Sequence, residues 1–146
     1  MTEPTHPGHI ESVPVHFEDL DAMGVVHNGR YVLLLERALS AYWAERGWPF
    51  DPSRSHFADI VFAVREFTIT YHVPINTVGF VAVHFWVERL GTSSVVYGFR
   101  VISQDHTVVH AEGRRAQVKI DPTNLRPAPI GDTLRDAIAP LRTSAQ

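Results

Sequence analysis

The chain has no cysteine, so it can form no disulfide framework and offers no thiolate for nucleophilic attack or metal binding. It lacks an excess of positive charge as well. Its 13 Lys and Arg stand against 16 Asp and Glu, a formal net charge of -3, which removes the electrostatic basis for holding a polyanion. Nucleic acid and anionic membrane surfaces are therefore not expected partners. No stretch approaches the roughly 20 apolar residues of a membrane span. The opening MTEPTHPGHIES is polar and marked by Pro and Gly where a signal peptide carries an apolar run, and the expectation is a soluble, cytoplasmic protein. A Gly-rich phosphate loop of Walker or Rossmann type is missing, as is the Gly-x-Ser-x-Gly of serine esterases. No cofactor is expected.

What is present suits one compact domain over residues 1–146, with 1–11 and 142–146 expected to be flexible: 45% of the residues are hydrophobic and 20% charged. Val13, Val15 and Phe17 alternate with Pro14, His16 and Glu18, a short strand that Pro14 assigns to an edge or a strand start. From Asn28 to about Arg46 the period becomes helical, with Asn28 as N-cap, Gly47 at the stop and Pro49 preventing resumption. A helix of about 18 residues is roughly 27 Å long, and YVLLLERAL, apolar nearly all round, predicts an enclosed first half. Four further strands follow, through Phe67–Val73, Gly79–Glu88, Ser94–Ser103 and Thr107–Ile120. Their short connections make them antiparallel neighbours. Gly113 is read as a bulge, and Ala128–Leu141 as holding a short helix. The fold class is α+β: one long central helix wrapped by an antiparallel sheet of about five strands. Its free edges favour pairing with a second copy.

FEDLDAMGVVHNGRYVLLLER, residues 17–37, resembles the signature of the hotdog-fold acyl-CoA thioesterases of the 4-hydroxybenzoyl-CoA thioesterase type, and the element order matches from Val13 to Ile120. RLGTSSVVYGFRV, with Ser93 in its turn, and LRPAPI resemble later parts of that family. The resemblance implies hydrolysis of an acyl-CoA by a homodimer or homotetramer built as a dimer of dimers. It makes Asp21 the catalytic carboxylate, as nucleophile or general base, and puts at Asn28 and Gly29 the helix-start amides that polarise the thioester carbonyl. Tyr31 matches a first-turn tyrosine, with a core role as the alternative. A catalytically silent acyl-thioester-binding hotdog protein and a hotdog dehydratase or hydratase are the competing readings. The latter relies on a His with an Asp or Glu, and no such signature is evident.

The residues themselves are compatible with this chemistry. A loop returning over Gly24 is expected to bring the Asp21 carboxylate near the amides of Asn28 and Gly29. Asp19 is read as a structural turn former. His27 either bonds substrate or is satisfied by backbone. Glu36, a charge in an apolar helix, pairs with an arginine or positions water. Arg65, Arg89, Arg114 and Arg115 are candidates for the CoA nucleotide, or simply solvated charges. Nine histidines raise the question of a metal. His106 and His110 are separated by about 13 Å if both are in a strand, and no metal site is expected.

Overall fold

The structure is a computed structural model that describes residues 7–143. Five strands, β1 (His9–Val15), β2 (Phe62–Tyr71), β3 (Gly79–Leu90), β4 (Ser94–Ile102) and β5 (Val109–Lys119), form one antiparallel sheet of order β1-β3-β4-β5-β2. The long helix α1 is Tyr31–Glu45 and a short α2 is Asp132–Ile138. This is the expected hotdog arrangement.

The helix lies on the sheet because of its spacing. Tyr31, Leu34, Leu35, Ala38, Leu39 and Tyr42 recur at i, i+3, i+4, i+7, i+8 and i+11, and all are buried. They meet Val13 and Val15 of β1, Val81, Val83, Phe85 and Val87 of β3, and Val95, Tyr97, Phe99 and Val101 of β4 in one core. Every second residue of these strands faces the helix, as the period of a strand requires. The opposite side of α1 is open, with Leu33, Glu36 and Ser40 exposed. The expected enclosure of the helix's first half is thus corrected: one chain covers one face only.

The helix stops where its Gly47 allows a left-handed turn. At φ 89° Gly47 donates to Ala44 O (3.2 Å) and Trp48 N donates to Trp43 O (2.8 Å), the paired bonds of a Schellman end. At the other end Asn28 is not the cap. Asn28–Arg30 is a separate 3-10 turn, capped by His27, whose Nδ1 accepts from Gly29 N at 2.9 Å.

Strand boundaries depart from the sequence pattern in readable ways. β1 starts at His9, inside the segment expected to be loose, and Phe17 has left it for a 3-10 turn (Phe17–Asp19). Pro14 does lie on an edge strand, and its carbonyl accepts from Arg37 rather than from the sheet. In an antiparallel edge strand the missing N–H faces the same open side. Gly113 is not a bulge, because the pairing runs through it without a shift. A Cβ there collides with the Thr68 carbonyl oxygen, so glycine is required by close backbone approach. The register shifts fall at Val64/Glu66, Val87/Arg89 and Val101/Ile102.

Candidate functional site

The loop that carries Asp21 is a miniature hairpin. Leu20 bridges Val26, Asp21 N donates to Val25 O (2.8 Å), and Gly24 N donates to Asp21 O (2.9 Å) with Gly24 at φ 79°. The Asp21 Oδ1 accepts from Met23 N at 2.8 Å and Val25 N at 3.4 Å. Its Oδ2 has no partner among the described residues. The hydrogen bonds of the carboxylate thus lie within its own turn. The Gly29 amide is occupied by His27, which takes the backbone role of its two expected ones.

Asp19 does more than form a turn. Its carboxylate is fully buried, accepts His16 N at 2.8 Å, and receives the Arg37 fork at 2.9 and 3.1 Å. Arg37 holds the Asp19 carboxyl below its ordinary range, against the opposing effect of burial and with help from the His16 amide. Its backbone oxygen accepts His27 N. One residue thus ties β1, both ends of the Asp21 loop and α1 together.

The other expected residues are scattered. Tyr31 is a core residue, 3% exposed, packed edge-on to Tyr71 with ring centroids 5.0 Å apart. Within this chain Tyr31 takes the core role, the alternative given for it. The Tyr71 hydroxyl donates to Asn28 O, so the start of α1 lies beside the C-terminal end of β2. Arg65 and Arg89 are exposed, each at a register shift. Ser93 lies in the β3–β4 turn, its carbonyl accepting from Lys119 N. Lys119 pairs with Phe62 at the beginning of β2. Arg65 to Tyr71 is already about 20 Å of strand, so one chain does not bring Ser93 or Arg65 to Asp21.

Arg115 departs from its reading as a surface arginine. Arg114 faces outward and pairs with Glu88 at 2.6 Å, whereas Arg115 faces the helix side with its side chain 9% exposed and bonds Glu36 at 2.6 Å. Arg115 and Glu36 both line a cavity of about 410 Å³ among α1, α2, β2, β4 and β5. Sequence reasoning missed this chamber. Its signal was RRAQVKI, where strand alternation turns Arg115, Gln117 and Lys119 inward together, and all three are buried. Among the described residues no group of three or more His, Cys, Asp or Glu side chains gathers to hold a metal. His106 is in the β4–β5 turn at φ 67°, outside the strand that carries His110. No helix of the described residues is long and apolar enough to cross a membrane.

A match to the family described as the thioesterase superfamily spans residues 23–110, from the Asp21 hairpin through α1 and most of the sheet. The chain belongs to the thioesterase superfamily. Asp21 itself lies just before the matched span. This thioesterase is 27% identical over 115 residues to the acyl-CoA thioester hydrolase YbgC of Escherichia coli O157:H7, a match over 79% of this chain and 84% of that one. Among solved structures it resembles the PA5185 protein of Pseudomonas aeruginosa strain PAO1, with a TM-score of 0.84 and 28% identity over 97% of this chain and 96% of that chain. It also resembles a DHNA-CoA thioesterase from Staphylococcus aureus, with a TM-score of 0.75 and 20% identity over 90% and 86% of the two chains. At that identity the likeness concerns the fold alone. The expectation of a thioester hydrolase holds at the level of the family.

Proposed function

We propose that this thioesterase hydrolyses an acyl-CoA to the free acid and CoA, with Asp21 as the acting carboxylate. The observation that carries the reading is the state of that side chain: one oxygen pinned by the Met23 and Val25 amides, the other open, on an accessible hairpin leading into α1. The open oxygen either attacks the thioester carbonyl carbon or takes a proton from the water that does. The carbon–sulfur bond breaks, the sulfur leaves as the thiol, and the oxygen of water ends in the carboxylic acid. Negative charge growing on the carbonyl oxygen is met by the amides of Asn28 and Gly29, aided by the dipole of the helix behind them. The Gly29 amide is held by His27 in the free chain, so this donor is released when His27 turns away.

The separation of Asp21 from Arg65, Arg89 and Ser93 supports a homodimer or dimer of dimers in which the nucleotide end of CoA reaches these three residues on a second copy. Asp21→Asn tests the assignment. Asparagine keeps an acceptor for the Met23 and Val25 amides, so the hairpin is retained while the charge is removed. Turnover of an acyl-CoA panel is expected to fall by about 100- to 10,000-fold with binding largely kept. Near-normal hydrolysis by the folded variant overturns the role of Asp21, and a parent protein that binds but cleaves none of the panel points to a silent acyl-thioester-binding protein.

A further inference from the structure

The amides of the 3-10 turn ahead of α1 differ in what they hold. Asn28 N has no partner among the described residues, and Arg30 N donates to His27 O at 2.8 Å. Between them Gly29 N donates to His27 Nδ1 at 2.9 Å. A ring nitrogen that accepts from an amide carries no proton, so the bond is made by the neutral imidazole with its proton on Nε2. The ring lies close over Gly29: a Cβ there would stand 3.2 Å from His27 Nδ1 and 3.3 Å from Cε1. Glycine leaves the ring room to reach the amide.

The backbone around this contact is fixed while the side chain is not. His27 N donates to Asp19 O at 2.9 Å and Val26 N to Ile75 O at 2.8 Å, and Asp19 is fully buried. His27 itself is exposed, and its ring makes no other hydrogen bond among the described residues. Rotation of that one side chain into water is therefore enough to free the Gly29 amide. The capping role falls most often to Ser, Thr, Asp or Asn, so a cap alone does not call for histidine. An open amide at a helix start attracts small anions from solution, and the imidazole keeps them off.

We propose that the His27 imidazole is an autoinhibitory latch: it closes the Gly29 amide to substrate in the free protein, and the amide joins the reaction only when His27 rotates into water. Asn28 N is the standing donor and Gly29 N the conditional one. Charge growing on the carbonyl oxygen draws Gly29 N away from Nδ1, because a hydrogen bond to a charged acceptor is about twice as strong as a neutral one. The transition state is nonetheless bound more weakly than by an open amide, in proportion to the fraction of molecules whose latch is open. The same contact stabilises the folded chain as a cap, so stability and turnover are traded through one hydrogen bond. His27 acts through Gly29 and is a positioning residue. The effect on turnover rests on the hydrolase reading above, whereas the closure of the amide does not.

Two readouts on the intact protein test the latch. The first is exchange of the Gly29 amide hydrogen with water, followed by nuclear magnetic resonance. It should be slowed about 5-fold in the parent, the worth of one neutral hydrogen bond, and should be unprotected in His27→Ala. The second is kcat/KM over a panel of acyl-CoAs, which should rise in His27→Ala by the same factor as the lost protection. His27→Asn places a usual cap acceptor on the amide and should bring both values back toward the parent. A Gly29 amide that exchanges as fast in the parent as in His27→Ala overturns the proposal. So does a kcat/KM that stays level or falls in a folded His27→Ala with its amide open, the result for a purely structural cap. A parent that cleaves no acyl-CoA overturns the hydrolase reading instead, and the exchange measurement still decides whether the latch exists.

Discussion

Replacing Asp19 by asparagine should destabilise this protein more than any other single-atom exchange in the Asp21 loop. The carboxylate is 0% exposed and accepts three hydrogen bonds, from His16 N and from both Nη atoms of Arg37. The amide keeps one acceptor and turns two N–H groups toward donors. Breaking a buried pair by altering one member costs about 3–5 kcal/mol, and the 27% exposure of the Arg37 side chain places this case near 3, since the stranded guanidinium can reach water. With a urea slope of about 2 kcal/mol per molar, the midpoint falls by about 1.5 M. Acid gives a second signature. The folded-state pKa of Asp19 is lowered, so its contribution is fully present above the unfolded value of about 3.9 and is lost as pH falls through the lower folded value. Urea midpoints measured from pH 6 downward should therefore decline below about pH 4 more steeply in the parent than in Asp19→Asn. A variant within 0.5 kcal/mol of the parent, or parallel acid profiles, refutes the reasoning. Because Asp19 anchors the Asp21 hairpin, it is unsuitable as a silent control for Asp21.

Gly24→Val should cost about 2 kcal/mol and lower hydrolysis: a Cβ there meets nothing within 4 Å, so the penalty comes from the left-handed backbone, and Gly24→Asn, which tolerates that conformation, should retain most of both in the same melts and assays. Gly113→Ala should cost about 3 kcal/mol in urea unfolding, since the added methyl meets the backbone of Thr68 and Ile69, which cannot step aside as a flexible side chain would; an alanine variant as stable as the parent would show that β2 and β5 are less closely held. Sedimentation equilibrium at micromolar concentration should show a homodimer at least, because β1 and β2 leave two sheet edges open and Leu33, Tyr71 and Val73 are exposed; a monomer counts against the second-copy arrangement of the CoA site.

Much of the fold was legible because its signals are local. The alternation through Gly79–Leu90 and Ser94–Ile102, the six-residue stripe of α1 and the Gly47 stop each depend on neighbours within a few positions. The misreadings arise where distant residues decide. Asn28 looks like a cap on chemistry alone, yet the 3-10 turn lets His27 reach the Gly29 amide first. Gly113 looks like a bulge, yet it answers to the Thr68 carbonyl on another strand. The importance of Asp19 depends on Arg37, 18 residues later, and no spacing rule connects a loop acid to the second turn of a helix. The cavity was least legible of all, since α1, α2, β2, β4 and β5 must converge before Trp43, Leu134, Phe62, Tyr97 and Arg115 share a wall.

The helix sits over one side of its sheet, on β1, β3 and β4, and leaves the inner face of β5 and β2 to the cavity. Over time the two halves are free to change at different rates. Phe85, Phe99, Leu34 and Leu35, wholly buried beneath the helix, are locked by their mutual fit, and drift there is removed as loss of the folded chain. Val64, Phe50 and Trp48 border open space, so exchanging them reshapes the chamber while the locked half keeps the protein folded. Single substitutions at these three positions can thus change the shape of the chamber one at a time while the half beneath the helix holds the fold.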